Sequence, residues 1–293
     1  MNSRHLTTEQ RARLLKLATY ASVSVALLLI LLKTSVWLMS GSVSLLASLI
    51  DSLMDAGASL INLFAVRYAL KPADHDHRFG HGKAEALAGL AQAAFITGSA
   101  VLVLLQGIDR LLNPRALEAA WLGVAVMLFS IAATMGLLLI QRHVIRRTGS
   151  TAIKADALHY RSDLLLNASI IAALLLAHYG IGRADALFGL AIALYIGYGA
   201  LRIGWDAVQI LMDHELPDTV RNEALALARA VPGVVGVHDL RTRQSGQQWF
   251  MQMHVELPCD LSLAQAHELG EQVRLAIIER FPQAEVLVHK DPV

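Results

Sequence analysis

Residues 43–66 read VSLLASLIDSLMDAGASLINLFAV, a run apolar and long enough to cross a bilayer that nevertheless carries two carboxylates, Asp51 and Asp55. A membrane-spanning helix needs about 20 predominantly apolar residues. Comparable runs lie near residues 17–38, 86–112, 119–140, 152–178 and 186–211. The pattern predicts an α-helical membrane protein with six transmembrane helices in residues 1–212. Composition agrees: 55% of the 293 residues are hydrophobic and 17% are charged, too apolar for an ordinary soluble chain and too mixed for a bundle buried throughout. A membrane block joined to a soluble block accommodates both values.

Six spans put both ends of the chain on one side of the membrane. Arg4, Arg11, Arg13 and Lys16 precede the first span, Lys71, Arg78 and Lys83 lie between the second and third, and Arg142, Arg146, Arg147 and Lys154 lie between the fourth and fifth. The opposite connections carry little beyond Arg115 and Arg183. Because Lys and Arg accumulate on the cytosolic side, both termini are expected in the cytosol. The opening MNSRHLTTEQRARLLK is polar for too long to be a signal-peptide n-region, and no small-residue cleavage site follows it, so the chain is read as unprocessed.

Beyond residue 212 the periodicity changes. Asp218 to Ala230 reads as a helix after Pro217, two strands follow at 234–243 and 249–257 around Gln244-Ser245-Gly246, and a helix near 262–280 leads to a last strand at 285–289. Residues 213–293 are therefore expected to form one α+β unit of order αββαβ. Alternation on the second strand places Trp249, Met251, Met253 and Val255 on one face and Gln252, His254 and Glu256 on the other.

Several function classes fall away at this stage. The formal net charge is +1 and no basic stripe with interleaved aromatics occurs, which argues against a nucleic-acid partner. One cysteine, Cys259, permits no internal disulfide and no thiolate zinc finger, so any metal must be held by His, Asp and Glu. No Gly-x-x-x-x-Gly-Lys sequence occurs, so ATP is not expected as the energy source.

What remains is the chemistry inside the spans. Asp51 and Asp55 on the second, and His159 and Asp163 on the fifth, are each spaced i, i+4, which stacks them on one helix face. The two stripes continue in register to Asn62 and Asn167. An ionisable group at depth costs at least ~2.5 kcal/mol, so four of them imply that they face one another or a cation. Three carboxylates and one imidazole suit a four-coordinate site for Zn²⁺, with Cd²⁺, Fe²⁺ and Co²⁺ also tolerated. Interhelical hydrogen bonding or a metal-free proton relay are the competing readings. The absence of His-Glu-x-x-His weakens an intramembrane metalloprotease.

Asp51-x-x-x-Asp55 with His159-x-x-x-Asp163, six spans and a C-terminal αββαβ domain resemble the cation diffusion facilitator family, in particular its bacterial zinc and ferrous-iron exporters. The segments PADHDHRFGHGKAE at 72–85 and VHDLRTRQSG at 237–246 carry the likeness across the chain. The resemblance implies a metallochaperone-like cytosolic domain, a homodimer in the inner membrane, and no enzyme activity. It also implies export of Zn²⁺, with Cd²⁺ and Fe²⁺, in exchange for protons, and no cofactor beyond bound Zn²⁺. Residue by residue, it implies a second zinc site at Asp74, His77 and His81 in the loop after the second span, with His75 extra. It unites His238, His254, His267, His289 and Asp291 as a cytosolic two-metal site with Asp291 bridging, although Lys290 stands where a glutamine is expected. Lys83 and Asp213 match a pair near the dimer interface that acts as a hinge. His5, His143, His178 and His214 have no partner at ligand spacing, and Cys259 is given a structural role.

Two further classes stay open on the residues alone. A membrane sensor would bind metal without flux, and a membrane-embedded metalloenzyme would need an open coordination position and a general base.

Overall fold

The computed structural model describes residues 8–40, 43–113, 121–178 and 184–293. Arg4, His5, Arg115, Arg183, the first two residues of the fourth expected span and the side chain of His178 lie outside the described residues. Six long helices come first: α1 Thr8–Ser40, α2 Val43–Ala69, α3 Lys83–Leu112, α4 Trp121–Thr148, α5 Thr151–His178 and α6 Ala184–Leu211. All but α5 are long and apolar enough by themselves to cross a membrane. The N-terminal half of α5 holds Lys154, Asp156, His159, Arg161 and Asp163, which carry charge as far as the middle of the helix. The soluble part follows as α7 Asp218–Arg229, β1 Gly236–Ser245, β2 Gln248–Leu257, α8 Leu263–Arg280 and β3 Ala284–Pro292.

The chain divides into two compact units. The first holds Arg13–Leu70 and Ala84–Val208. Lipid tails are as apolar as leucine, so helices here gain little from hiding hydrocarbon and associate through close contact of small side chains. Ala18, Ala93, Ala100, Ala152, Ala155, Ala193 and Ala200 are buried between helices, whereas Leu31, Phe64, Leu102, Leu139 and Leu201 are exposed. Gly89 shows how tight the approach is: a Cβ there would come 2.8 Å from Thr151 Cγ2. The first turn of α5 is closed by Glu85 of α3, whose carboxylate accepts the Thr151 backbone N–H at 3.0 Å, a negative group at the positive end of the helix dipole.

The second unit comprises Lys71–Lys83 and Gln209–Val293 with the start of α1. Its three-stranded sheet has the order β1-β2-β3, with β1 and β2 antiparallel and β2 and β3 parallel across α8. The αββαβ order of the sequence reading is present. The hairpin turn is displaced by two residues: β1 runs to Ser245 and the turn is Gly246-Gln247, where Gly246 takes a positive φ of 58° that only glycine adopts freely. Met251, Met253, Val255 and Leu257 of β2 are buried against Val273 and Ile277 of α8 and Ala224 and Ala228 of α7. Ser262 and Gln265 form a reciprocal capping box that starts α8.

The α2–α3 loop belongs to this soluble unit. Phe79 meets Phe250 edge to face at 5.6 Å, and the Arg243 guanidinium lies over both rings, 4.6 Å and 4.9 Å from their centroids. Gly82 sits so close to the hairpin that a Cβ would fall 2.3 Å from the Ser245 carbonyl oxygen.

Candidate metal centres

Helical periodicity brings Asp55 of α2 and His159 and Asp163 of α5 to one point in the first unit. His159 Nε2 lies 2.9 Å from Asp55 Oδ1 and 3.9 Å from Asp163 Oδ2, and one ligand atom from each residue lies within 4.8 Å of the others. Such a group can close around a divalent ion with a small contraction, since zinc–ligand bonds are about 2.0–2.2 Å. The His159 ring is held by aromatic edges, 6.2 Å from Phe95 and 5.7 Å from Tyr160. The cluster lines a cavity of about 180 Å³ together with Ser99, Ser162 and Asp51. Asp51 is therefore at the same cavity but outside the tight group of three. Asn167 is turned to its own helix, donating to the Asp163 carbonyl at 2.8 Å, and the buried Asn62 carboxamide has no hydrogen-bond partner among the described residues.

Two ionisable residues of the same unit were passed over in the sequence reading. Lys33 of α1 is 8% exposed and donates to the Ser48 carbonyl at 3.0 Å and to Ser52 Oγ at 2.6 Å, both on α2. Asp156 is fully buried, accepting from Ser22 Oγ at 2.6 Å and Gln141 Nε2 at 2.7 Å. Both could have been found from their position, since an ionisable residue inside a span is by default a functional candidate.

In the second unit, the loop cluster forms around Asp74. Its Oδ1 accepts the backbone N–H groups of His77 at 2.7 Å and Asp76 at 3.1 Å, while Oδ2 lies 3.3 Å from His81 Nε2. His77 Nδ1 is 3.5 Å from Oδ1. The His77 backbone bond, before the neighbouring imidazoles, holds the Asp74 carboxyl below the usual range. Gly80 at φ 75° makes the turn that returns His81 to Asp74.

The sheet builds a third cluster by register. Opposite residues on adjacent strands share a face: His238 pairs with His254, His254 with His289, and Glu256 with Asp291. Asp291 is the centre, 2.8 Å from His254 Nδ1, 3.2 Å from His238 Nε2 and 3.3 Å from His289 Nε2. The hydrogen bond from His254 is the main reason its carboxyl lies below the ordinary range. Glu256, which the sequence reading did not assign, stands 3.6 Å from His238. Lys290 alternates to the other face, where it lies over α8 so closely that a Cβ on Gly270 would be 2.4 Å from Lys290 Cε. Its side chain is aimed away from the cluster. His267 is exposed on α8 and lies outside the group that the strands assemble.

Lys83 and Asp213 meet at 2.9 Å, and Lys83 also donates to the Leu211 carbonyl at 3.3 Å. Arg243 lies 3.6 Å from the other Asp213 oxygen. Asp213 takes a positive φ of 58° as the chain leaves α6. Cys259 is exposed and free.

Two family matches cover nearly all of the chain: the cation efflux transmembrane domain over residues 19–212, and the cytoplasmic domain of cation efflux proteins over residues 216–293. Among curated relatives, the cation-efflux pump FieF of Klebsiella pneumoniae subsp. pneumoniae is 51% identical over 280 residues, spanning 96% of this chain and 93% of its own. FieF of Yersinia enterocolitica is 51% identical over 283 residues, spanning 97% of this chain and 94% of its own. A solved C-terminal domain of MamM is 31% identical across 26% of this chain and 98% of its own length, with a TM-score of 0.25.

Proposed function

This chain belongs to the cation efflux family, the cation diffusion facilitators, whose curated relatives are named pumps, and we propose that it exports zinc from the cytosol across the inner membrane in exchange for protons. Divalent-metal efflux follows from the family. Zinc as the principal cargo, with Cd²⁺ and Fe²⁺ as further substrates, is our reading of the ligand set. The observation that carries it is the convergence of Asp55, His159 and Asp163 within 4.8 Å at a cavity between helices. Asp51, on the same cavity wall, is the fourth ligand in this proposal and closes on the ion once it enters.

The exchange follows from competition at shared atoms. A carboxylate or imidazole binds metal only when deprotonated, so proton entry and metal release are one event. Protons arriving from the acidic face displace the ion outward, and the protonated ligands return to the cytosolic face. The working unit is a homodimer with both termini cytosolic, in line with the Lys and Arg distribution. The Asp74–His77–His81 and His238–His254–His289–Asp291 clusters hold zinc that is not transported, and the Lys83–Asp213 pair acts as a hinge at the end of α6.

Proteoliposomes with zinc on the cytosolic side and an imposed pH difference test the exchange. Zinc export should accelerate with an inward proton gradient and be matched by proton counterflow. Zinc flux indifferent to the gradient, with no proton movement, would replace antiport by a uniporter. Metal binding with no flux at all would favour the sensor class.

A further inference from the structure

Lys33 of α1 is a buried lysine held against α2, the helix that carries Asp51 and Asp55. Lysine almost never sits fully inside unless paired, and this one is 8% exposed on α1. Its two hydrogen bonds go to neutral oxygens, the Ser48 carbonyl and Ser52 Oγ, which engage two of its three N–H groups without neutralising its charge. The opposite charges that act on it are Asp55, Asp51 and Asp163. Ser48, Ser52 and Asp55 follow one another at helical spacing on α2, so the serines hold the ammonium beside the carboxylates and leave the carboxylates free to face the cavity.

The charge count gives this arrangement a purpose. Asp51, Asp55 and Asp163 together carry three negative charges, and a divalent ion offsets only two. In a medium of low polarity an uncompensated charge is costly. With Lys33 included, three carboxylates, one ammonium and one dication sum to zero. A trivalent ion leaves an excess positive charge, and a monovalent ion an excess negative one. Asp156 lies in its own network with Ser22, Gln92 and Gln141, and its contribution is the same whatever the ion.

We propose that Lys33 is a specificity-determining residue whose fixed positive charge matches the Asp51–Asp55–His159–Asp163 site to a divalent cargo. It touches no ion and acts through the field it sets at the ligands. This inference rests on the proposed transport site, and the test separates the two.

The experiment measures zinc flux in proteoliposomes and its inhibition by terbium(III), comparing wild type with Lys33→Gln, Lys33→Arg and Asp163→Ala. Flux reads only the ions that pass through the membrane site, so zinc on the soluble clusters does not enter the ratio. Lys33→Gln keeps an N–H donor for the α2 serines but no charge. The ratio of the terbium inhibition constant to the zinc KM should fall by at least roughly tenfold in it, since one charge acting on one extra unit of ion charge at an effective dielectric of about 20 gives that factor out to about 12 Å. Lys33→Arg should keep the wild-type ratio. An unchanged ratio in Lys33→Gln would overturn the proposal and leave Lys33 as an interhelical tether. If Lys33→Gln passes no zinc, Lys33→Arg decides: flux with the wild-type ratio supports the charge, and an inactive Lys33→Arg overturns it. Asp163→Ala that still transports zinc would instead remove the transport site itself, whatever the Lys33 variants do.

Discussion

The membrane cluster and the sheet cluster use the same side chains in opposite ways. Asp55, His159 and Asp163 are largely buried and stand on two helices, so their spacing depends on how α2 and α5 lie against each other. His238, His254, His289 and Asp291 are partly exposed and stand on three strands joined by a ladder of backbone hydrogen bonds. Helices can slide by side-chain repacking alone, whereas strands in register move only by breaking main-chain bonds. The first cluster also has one imidazole to two carboxylates, the second three imidazoles to one. A site that must take and give up an ion benefits from a movable frame and from ligands that accept protons at different acidities. A site that retains its ion benefits from a fixed frame. Under the proposed function, this contrast divides transit from retention.

The contrast breaks most decisively at Asp163. Asp163→Ala removes a direct ligand and no packing group, so zinc flux should fall to background while the protein stays folded and assembled. Wild-type flux from the purified variant would show that transit runs elsewhere. The opposite substitution pair, His254→Ala with Asp291→Ala, should lower the zinc bound per full-length chain yet leave measurable flux. Loss of flux equal to that of Asp163→Ala would erase the distinction between the clusters, and unchanged bound zinc would remove the sheet site.

A smaller effect sharpens the chemistry of the first cluster. Imidazole favours zinc and carboxylate favours harder ions. His159→Asp should therefore weaken zinc transport more than manganese transport, and equal losses for both ions would mean that position 159 does not discriminate.

The smallest effect concerns the frame of the second cluster. Arg274 donates to Glu271 on α8 at 2.8 Å and holds that carboxyl below the usual range. A group whose value is depressed by folding contributes fully above its unfolded value, about 4.3 for Glu, and the contribution is lost as pH falls through the folded value. Because the pair is exposed, the contribution is slight. Glu271→Gln should lower the melting temperature of the soluble unit a little at pH 7, by less as the pH falls below about 4.3, and not at all once the pH has passed through the depressed folded value. A difference that persisted in acid would mean that the side chain acts through packing.

The sequence by itself determined the features whose period is set by the backbone: apolar runs of bilayer length, the i, i+4 stripes that carry Asp51, Asp55, His159 and Asp163, and the alternation that buries Met251, Met253 and Val255. A helix repeats every 3.6 residues and a strand every two, so the face of a side chain can be read without knowing its partner. The partner cannot. Only the tertiary structure decided that Asp55 closes on His159 while Asp51 stands off, because that depends on the relative placement of α2 and α5. Strand register decided that His238, His254 and His289 converge on Asp291, and His267, carried on α8, lies outside that register. Contacts between distant residues did the rest: Ser22 with Asp156, Lys33 with the serines of α2, and Phe79 with Phe250. Periodicity records the direction a residue faces within its own element, and packing alone supplies what stands opposite.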